Sequence, residues 1–164
     1  GLRVFSIFDV VIGDAALALC PLPGRFSPYL NDFAAILAWR PDLVLSLTER
    51  SEMKPVGAAD FPADLKAQGI QCCHFPILDY QTPKPENAKR WQSVEAKAGR
   101  MLGQGGRVLV HCFGGCGRSG MVALRLMRRT GLSADVALSH LRAIRPCAIE
   151  TPEQERWARA AFEE

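Results

Sequence analysis

Residues Val108 to Gly120 read Val-Leu-Val-His-Cys-Phe-Gly-Gly-Cys-Gly-Arg-Ser-Gly, and they leave the chain few ways to fold. The apolar run ending at His111-Cys112 predicts a buried strand. Gly114, Gly115 and Gly117 predict a flexible loop, and Arg118-Ser119 opens an apolar run of helical length. That order places Cys112 at the floor of a loop whose N–H groups can turn inward, with Arg118 closing it. Unpaired N–H groups and the positive end of a helix then converge on one point, a nest for a tetrahedral dianion. The same field stabilises a thiolate. Anion cradle and ionised nucleophile coincide, as phosphoryl transfer through a cysteinyl-phosphate requires.

The rest of the chain supplies a frame for such a loop. Short apolar, β-rich runs occur at Val4–Val11, Leu43–Leu47, Ile70–Phe75 and Arg107–His111, with Leu17–Cys20 a further candidate. Helical patterns lie between them. Asn31-Asp32 is placed to cap Phe33–Trp39, which Pro41 stops, and Pro62–Gln68 is closed by Gly69. Glu86–Leu102 is amphipathic, Arg118–Thr130 is apolar nearly all round, Ser133 caps Ala134–Ile144, and Thr151-Pro152 opens a last helix to about Phe162. Arg125, Arg128 and Arg129 share one face near a helix C-terminus, where the dipole favours cations. Alternating strands and helices predict an α/β fold, a mostly parallel central sheet with helices on both faces. Ligands of such sheets sit at the carboxyl ends of the strands, where the nest falls.

Length and composition narrow the class. The 164 residues predict one domain over 1–164, with 48% apolar and 23% charged residues and a net charge of +3. That charge is too small to imply nucleic acid, and no apolar run approaches the roughly 20 residues of a membrane span. Gly1-Leu2-Arg3-Val4-Phe5 does not read as a secretory signal. Cysteines at 20, 72, 73, 112, 116 and 147 show no zinc spacing, so no metal and no cofactor is expected. Several lie in apolar runs, which favours reduced thiols and a cytoplasmic location; a monomer is expected.

Individual residues carry alternative readings. Cys112 is the expected nucleophile, against a structural buried cysteine. Arg118 offers a planar fork of donors to two phosphate oxygens. His111, Phe113, Gly114, Gly115, Cys116 and Gly117 complete the phosphate-binding loop with it, His111 ordering the loop through ring-to-backbone hydrogen bonds. Ser119 is placed to hydrogen-bond the cysteine sulfur or to cap the helix. Asp79, in Phe75-Pro76-Ile77-Leu78-Asp79-Tyr80-Gln81-Thr82-Pro83, is the expected acid for the leaving oxygen, on a proline-flanked loop able to close over substrate. Asp60 and Asp64 are the alternatives. Gln154 completes a capping box with Thr151, and a water-positioning role is equally open. Cys116, or with more reason Cys72 or Cys73, could pair with an oxidised Cys112, although burial is the simpler role for all three. Trp39, Trp91 and Trp157 are read as core anchors. Lys84, Lys89 and Arg90 form either a solvated helix entrance or a second phosphate contact.

His111-Cys112-x-x-Gly115-x-x-Arg118-Ser119 resembles the signature of the cysteine-dependent protein phosphatases, and the short chain resembles their dual-specificity branch. Leu22-Pro23-Gly24, His74 to Asp79, His111 to Ser119 and Ala148-Ile149-Glu150-Thr151 are similar, in order, to the kinase-associated members of that branch. The similarity spans residues 20–162, and the first twenty residues show no clear counterpart. The resemblance implies Cys112 as nucleophile, Asp79 as acid and then base, and Arg118 with the loop amides as phosphate ligands. It also implies that Gln154 is presented to the hydrolytic water. The expected substrate is a phosphorylated protein or peptide, with phosphotyrosine first and phosphoserine or phosphothreonine after it. Phe113, Gly114 and Cys116 stand where lipid-directed relatives carry lysines, which weighs against phosphoinositides. A phosphoinositide or small-phosphomonoester phosphatase, a non-catalytic phosphopeptide-binding module and a rhodanese-like sulfurtransferase are the other readings.

Overall fold

A computed structural model describes residues 4–162, so Gly1–Arg3 of the N-terminal stretch discussed above lie outside the described residues. Five strands form one sheet in the order β1-β2-β5-β3-β4: β1 (Phe8–Ile12), β2 (Ala15–Cys20), β3 (Leu43–Ser46), β4 (Gln71–His74) and β5 (Arg107–His111). Only β1 runs antiparallel, joined to β2 by a tight turn, and the other four strands are parallel. Their registers align Cys20, His111, Ser46 and His74 across the sheet, so all four parallel strands end on one edge.

Side chains alternate between the two faces with the two-residue period of a strand. Leu17, Leu19, Leu43, Leu45, Val108 and Val110 face one core. That core is closed by helices α4 (Ala88–Gly103), α5 (Gly117–Arg129), α6 (Ala134–Ile144) and α7 (Pro152–Arg159). Ala18, Cys20, Val44 and Leu109 face a smaller core closed by α1 (Tyr29–Trp39), α2 (Arg50–Met53) and α3 (Phe61–Ala67). Apolar surface on both faces is what a central parallel sheet must bury.

Several elements differ from their sequence reading. Helix α1 starts at Tyr29, one turn early, because Asp32 is not its cap. The Asp32 carboxylate points back to accept from the Gly24 N–H at 2.7 Å and the Ser27 hydroxyl at 2.5 Å. Residues 50–56, unassigned from sequence, form α2 and a 3-10 turn, Lys54–Val56. Helix α7 stops at Arg159, short of Phe162. Of the tryptophans, Trp91 is buried, whereas Trp39 is half-buried and donates to Asp9 at 2.7 Å across the sheet's antiparallel edge. The three α5 arginines do more than answer the dipole: Arg125 and Arg129 pair with the buried Glu95 of α4, and all three lie over the Phe162 ring. No helix among the described residues is long and apolar enough to cross a membrane.

Candidate active site

The loop from Cys112 to Arg118 joins β5 to α5, with its carbonyl groups tied to the surrounding scaffold. Cys112 O meets His111 Nδ1 at 3.3 Å, and Phe113 O accepts from the Leu22 N–H at 3.1 Å. Arg145 donates to Gly114 O at 2.9 Å and to Gly115 O at 3.1 Å, and Cys116 O accepts from the Ile149 and Gly120 N–H groups. By contrast, no acceptor among the described residues takes the N–H groups of residues 113–118. Carbonyls outward and amides unpaired are the two halves of an anion nest. Gly115 makes the bend possible: its φ is +73°, and a Cβ there would stand 2.9 Å from the backbone of Cys20 and Pro21.

Cys112 sits on the floor of this loop, 1% exposed, with its Sγ hydrogen-bonded to Ser119 Oγ at 3.2 Å. Ser119 is therefore not the helix cap, since Cys116 holds the N-cap position of α5. His111 is buried, its Nε2 2.6 Å from Ser46 Oγ and its ring edge-on to Phe61. Burial, together with the nearby His74 and Arg118 charges, pushes its pKa down to about 4, so the ring is neutral near pH 7.

Arg118 is the largest fully buried side chain among the described residues. Its guanidinium donates a bidentate pair to the Glu52 carboxylate, at 2.7 and 2.8 Å, donates to Ile77 O at 2.9 Å and lies 3.2 Å from Asp79 Oδ1. Its Nε, also buried, has no partner among the described residues. Glu52 is partly buried, which opposes its ionisation. The Arg118 pair and the Glu49 N–H outweigh that burial and hold the carboxyl below its usual range. Glu52 escaped the sequence reading. Its one local signal is the Glu49-x-x-Glu52 pattern, which forms a capping box at the start of α2.

Asp79 leaves the carboxyl edge of β4 and meets the loop across a cleft of about 490 Å³ that both line, together with Arg25, Phe113, Arg145 and Glu150. Asp60 and Asp64 lie elsewhere, Asp64 accepting from the Tyr29 hydroxyl at 2.6 Å. Gln154 is fully buried. Thr151 Oγ1 accepts from its N–H at 3.1 Å as a capping box requires, but the return bond goes one residue further back, from the Glu150 N–H to Gln154 Oε1 at 3.0 Å. Its Nε2 donates to Gln81 O at 3.2 Å, which ties α7 to the Asp79 loop. Lys84, Lys89 and Arg90 do not line the cleft, and Arg90 is spent on His74 O at 2.7 Å.

The cysteines overturn one expectation. Cys116 is joined to Cys147 in a disulfide, so that pair is not reduced and Cys116 offers no thiol to phosphate or to Cys112. Cys72 and Cys73 lie on β4, and β3 separates that strand from β5, so they are not on the strand next to the nucleophile. Burial and the adjacent Cys73 push the Cys72 thiol up to about 12. Among the described residues no three His, Cys, Asp or Glu side chains are grouped to hold a metal ion.

Residues 42–163 match the dual specificity phosphatase catalytic domain, and the chain belongs to that family, with the cysteine-dependent phosphatase chemistry generic to it. Its fold is shared with a kinase associated phosphatase whose catalytic-site cysteine is replaced by serine. The identity is 22%, covering 96% of this chain and 94% of that one, with a TM-score of 0.81. That coverage includes most of the first twenty residues, which therefore do have a structural counterpart. Tk-PTP in its active form is 27% identical over 91% of this chain and 92% of its own, with a TM-score of 0.67. PTPMT1 in complex with PI(5)P is 17% identical over 87% of each chain, also at 0.67.

Proposed function

We propose that the chain is one metal-independent phosphatase domain that hydrolyses phosphorylated proteins or peptides, phosphotyrosine first. The unpaired N–H groups of residues 113–118, above a buried cysteine and beside an Arg118 Nε with no partner, carry this reading. They supply donors for a tetrahedral anion at the sulfur that attacks it.

In this scheme the phosphoryl group binds to the loop amides and Arg118, displacing Asp79 from the guanidinium while Glu52 keeps the arginine in place. The Asp79 carboxyl, released from the guanidinium, is then placed beside the leaving oxygen as the general acid. Cys112 attacks phosphorus in line, and the bond to the leaving oxygen breaks as Asp79 gives it a proton. Asp79 then takes a proton from water, which attacks the cysteinyl-phosphate, and Ser119 donates to the departing sulfur. Gln154, held at the junction of α7 and the Asp79 loop, positions that water.

The resemblance to kinase-associated phosphatases supports a protein substrate, and the loop's lack of lysine argues against a lipid headgroup. Wild type is expected to release phosphate from aryl phosphate and phosphopeptides in EDTA, and Cys112→Ser to lose turnover while still binding phosphopeptide. Ordinary turnover by Cys112→Ser would overturn the assignment of the nucleophile. Phosphopeptide binding without turnover by wild type would favour the binding-module reading.

A further inference from the structure

Two arginines at the mouth of the cleft take no part in the chemistry described above. Arg25 Nη1 lies 3.0 Å from where a Cβ on Gly114 would stand, and Arg145 Nη2 lies 2.9 Å from Gly114 O, so the two guanidinium groups straddle one residue of the loop. Neither has a carboxylate partner among the described residues. Of the acids that share the cleft, Asp79 is paired with Arg118, and Glu150 lies beside Gly117 at the far end of the loop, bonded to neither arginine. Aromatic faces hold both cations: Arg25 lies over Phe113 at 4.0 Å and Phe26 at 4.6 Å, and Arg145 over Phe8 at 4.1 Å. Cation–π contact fixes a guanidinium without using its N–H donors. Arg145 commits two nitrogens to the loop carbonyls, whereas the Arg25 guanidinium donates to no described residue.

We infer that Arg25, backed by the charge of Arg145, forms a second anion contact that selects phosphopeptides carrying an acidic side chain beside the phosphorylated residue. This rests on the phosphatase reading and adds a substrate class to it. A peptide suits the surroundings better than an inositol headgroup. Phe8, Phe26, Phe113 and Tyr80 give the cleft aromatic walls, and no lysine is among its described lining residues.

The test compares two phosphotyrosine peptides that differ only in Asp or Asn next to the phosphorylated residue, on wild type, Arg25→Gln and Arg25→Lys. Wild type is expected to favour the Asp peptide by about fivefold in kcat/KM, mainly through KM, and to lose the preference in about 0.5 M NaCl. Arg25→Gln brings the ratio to about one, and Arg25→Lys, which keeps the charge, retains part of it. A purely structural Arg25 would not move the Asp-to-Asn ratio. Equal use of the two peptides by wild type, or an undiminished preference in Arg25→Gln, overturns the inference, as does faster hydrolysis of a dispersed phosphoinositide than of the Asp peptide. Turnover of aryl phosphate by wild type reports separately on the phosphatase reading. If that turnover is absent, the same peptide ratio is read from fluorescence-measured Kd values, and the criteria stand.

Discussion

His111 links the site to stability through one proton. Unfolded, its imidazole ionises near pH 6.5; in the fold, burial lowers that to about 4. Between those values the unfolded chain binds the extra proton, so stability falls as pH drops through the window, by up to about 3 kcal/mol. Urea midpoints measured from pH 7 to 4.5 should show this fall, and His111→Gln should flatten the slope whatever its own stability. The burial of His111 is legible in its sequence position, at the end of an apolar strand ahead of the glycine loop. Its Ser46 partner is not, because Ser46 sits 65 residues away and meets it only through the β3–β5 register.

At the scale of elements, a four-residue helix holds the buried arginine. Replacing Glu52 with Gln keeps the shape of α2 but leaves Arg118 without its bidentate carboxylate, and breaking such a pair is expensive when one charge stays buried. Glu52→Gln is expected to lower stability by about 2–3 kcal/mol and kcat/KM tenfold or more, with far-ultraviolet circular dichroism unchanged. Chemical denaturation and steady-state kinetics check the two halves. Long elements were readable from sequence, Ala134–Ile144 with its Ser133 cap to the residue, because their apolar period and end signals agree. Helix α2 was not, since four residues carry no period. Helix α1 was misplaced because the Asn31-Asp32 signal serves a loop behind the helix rather than the helix start.

At the scale of the whole molecule, strand alternation implied the parallel sheet, and the sheet gathers the ends of β2, β5, β3 and β4 onto one edge. Cys112, Asp79 and the α2 residue Glu52 meet there from the separate segments that follow β5, β4 and β3. The Cys116–Cys147 disulfide was out of reach of sequence reading. Its partners are 31 residues apart, and only the packing of the segment after α6 against the nucleophile loop brings them together. Closing a loop of that length is worth about 3.7 kcal/mol, so reduction or Cys147→Ser should lower the melting temperature in a thermal scan. No change on reduction would show that the crosslink adds nothing to stability in solution. The crosslink also encircles α5, α6 and the turn between them, around Gly131. A protease that cuts at that exposed turn would leave two fragments still joined, migrating as one band until a reductant is added.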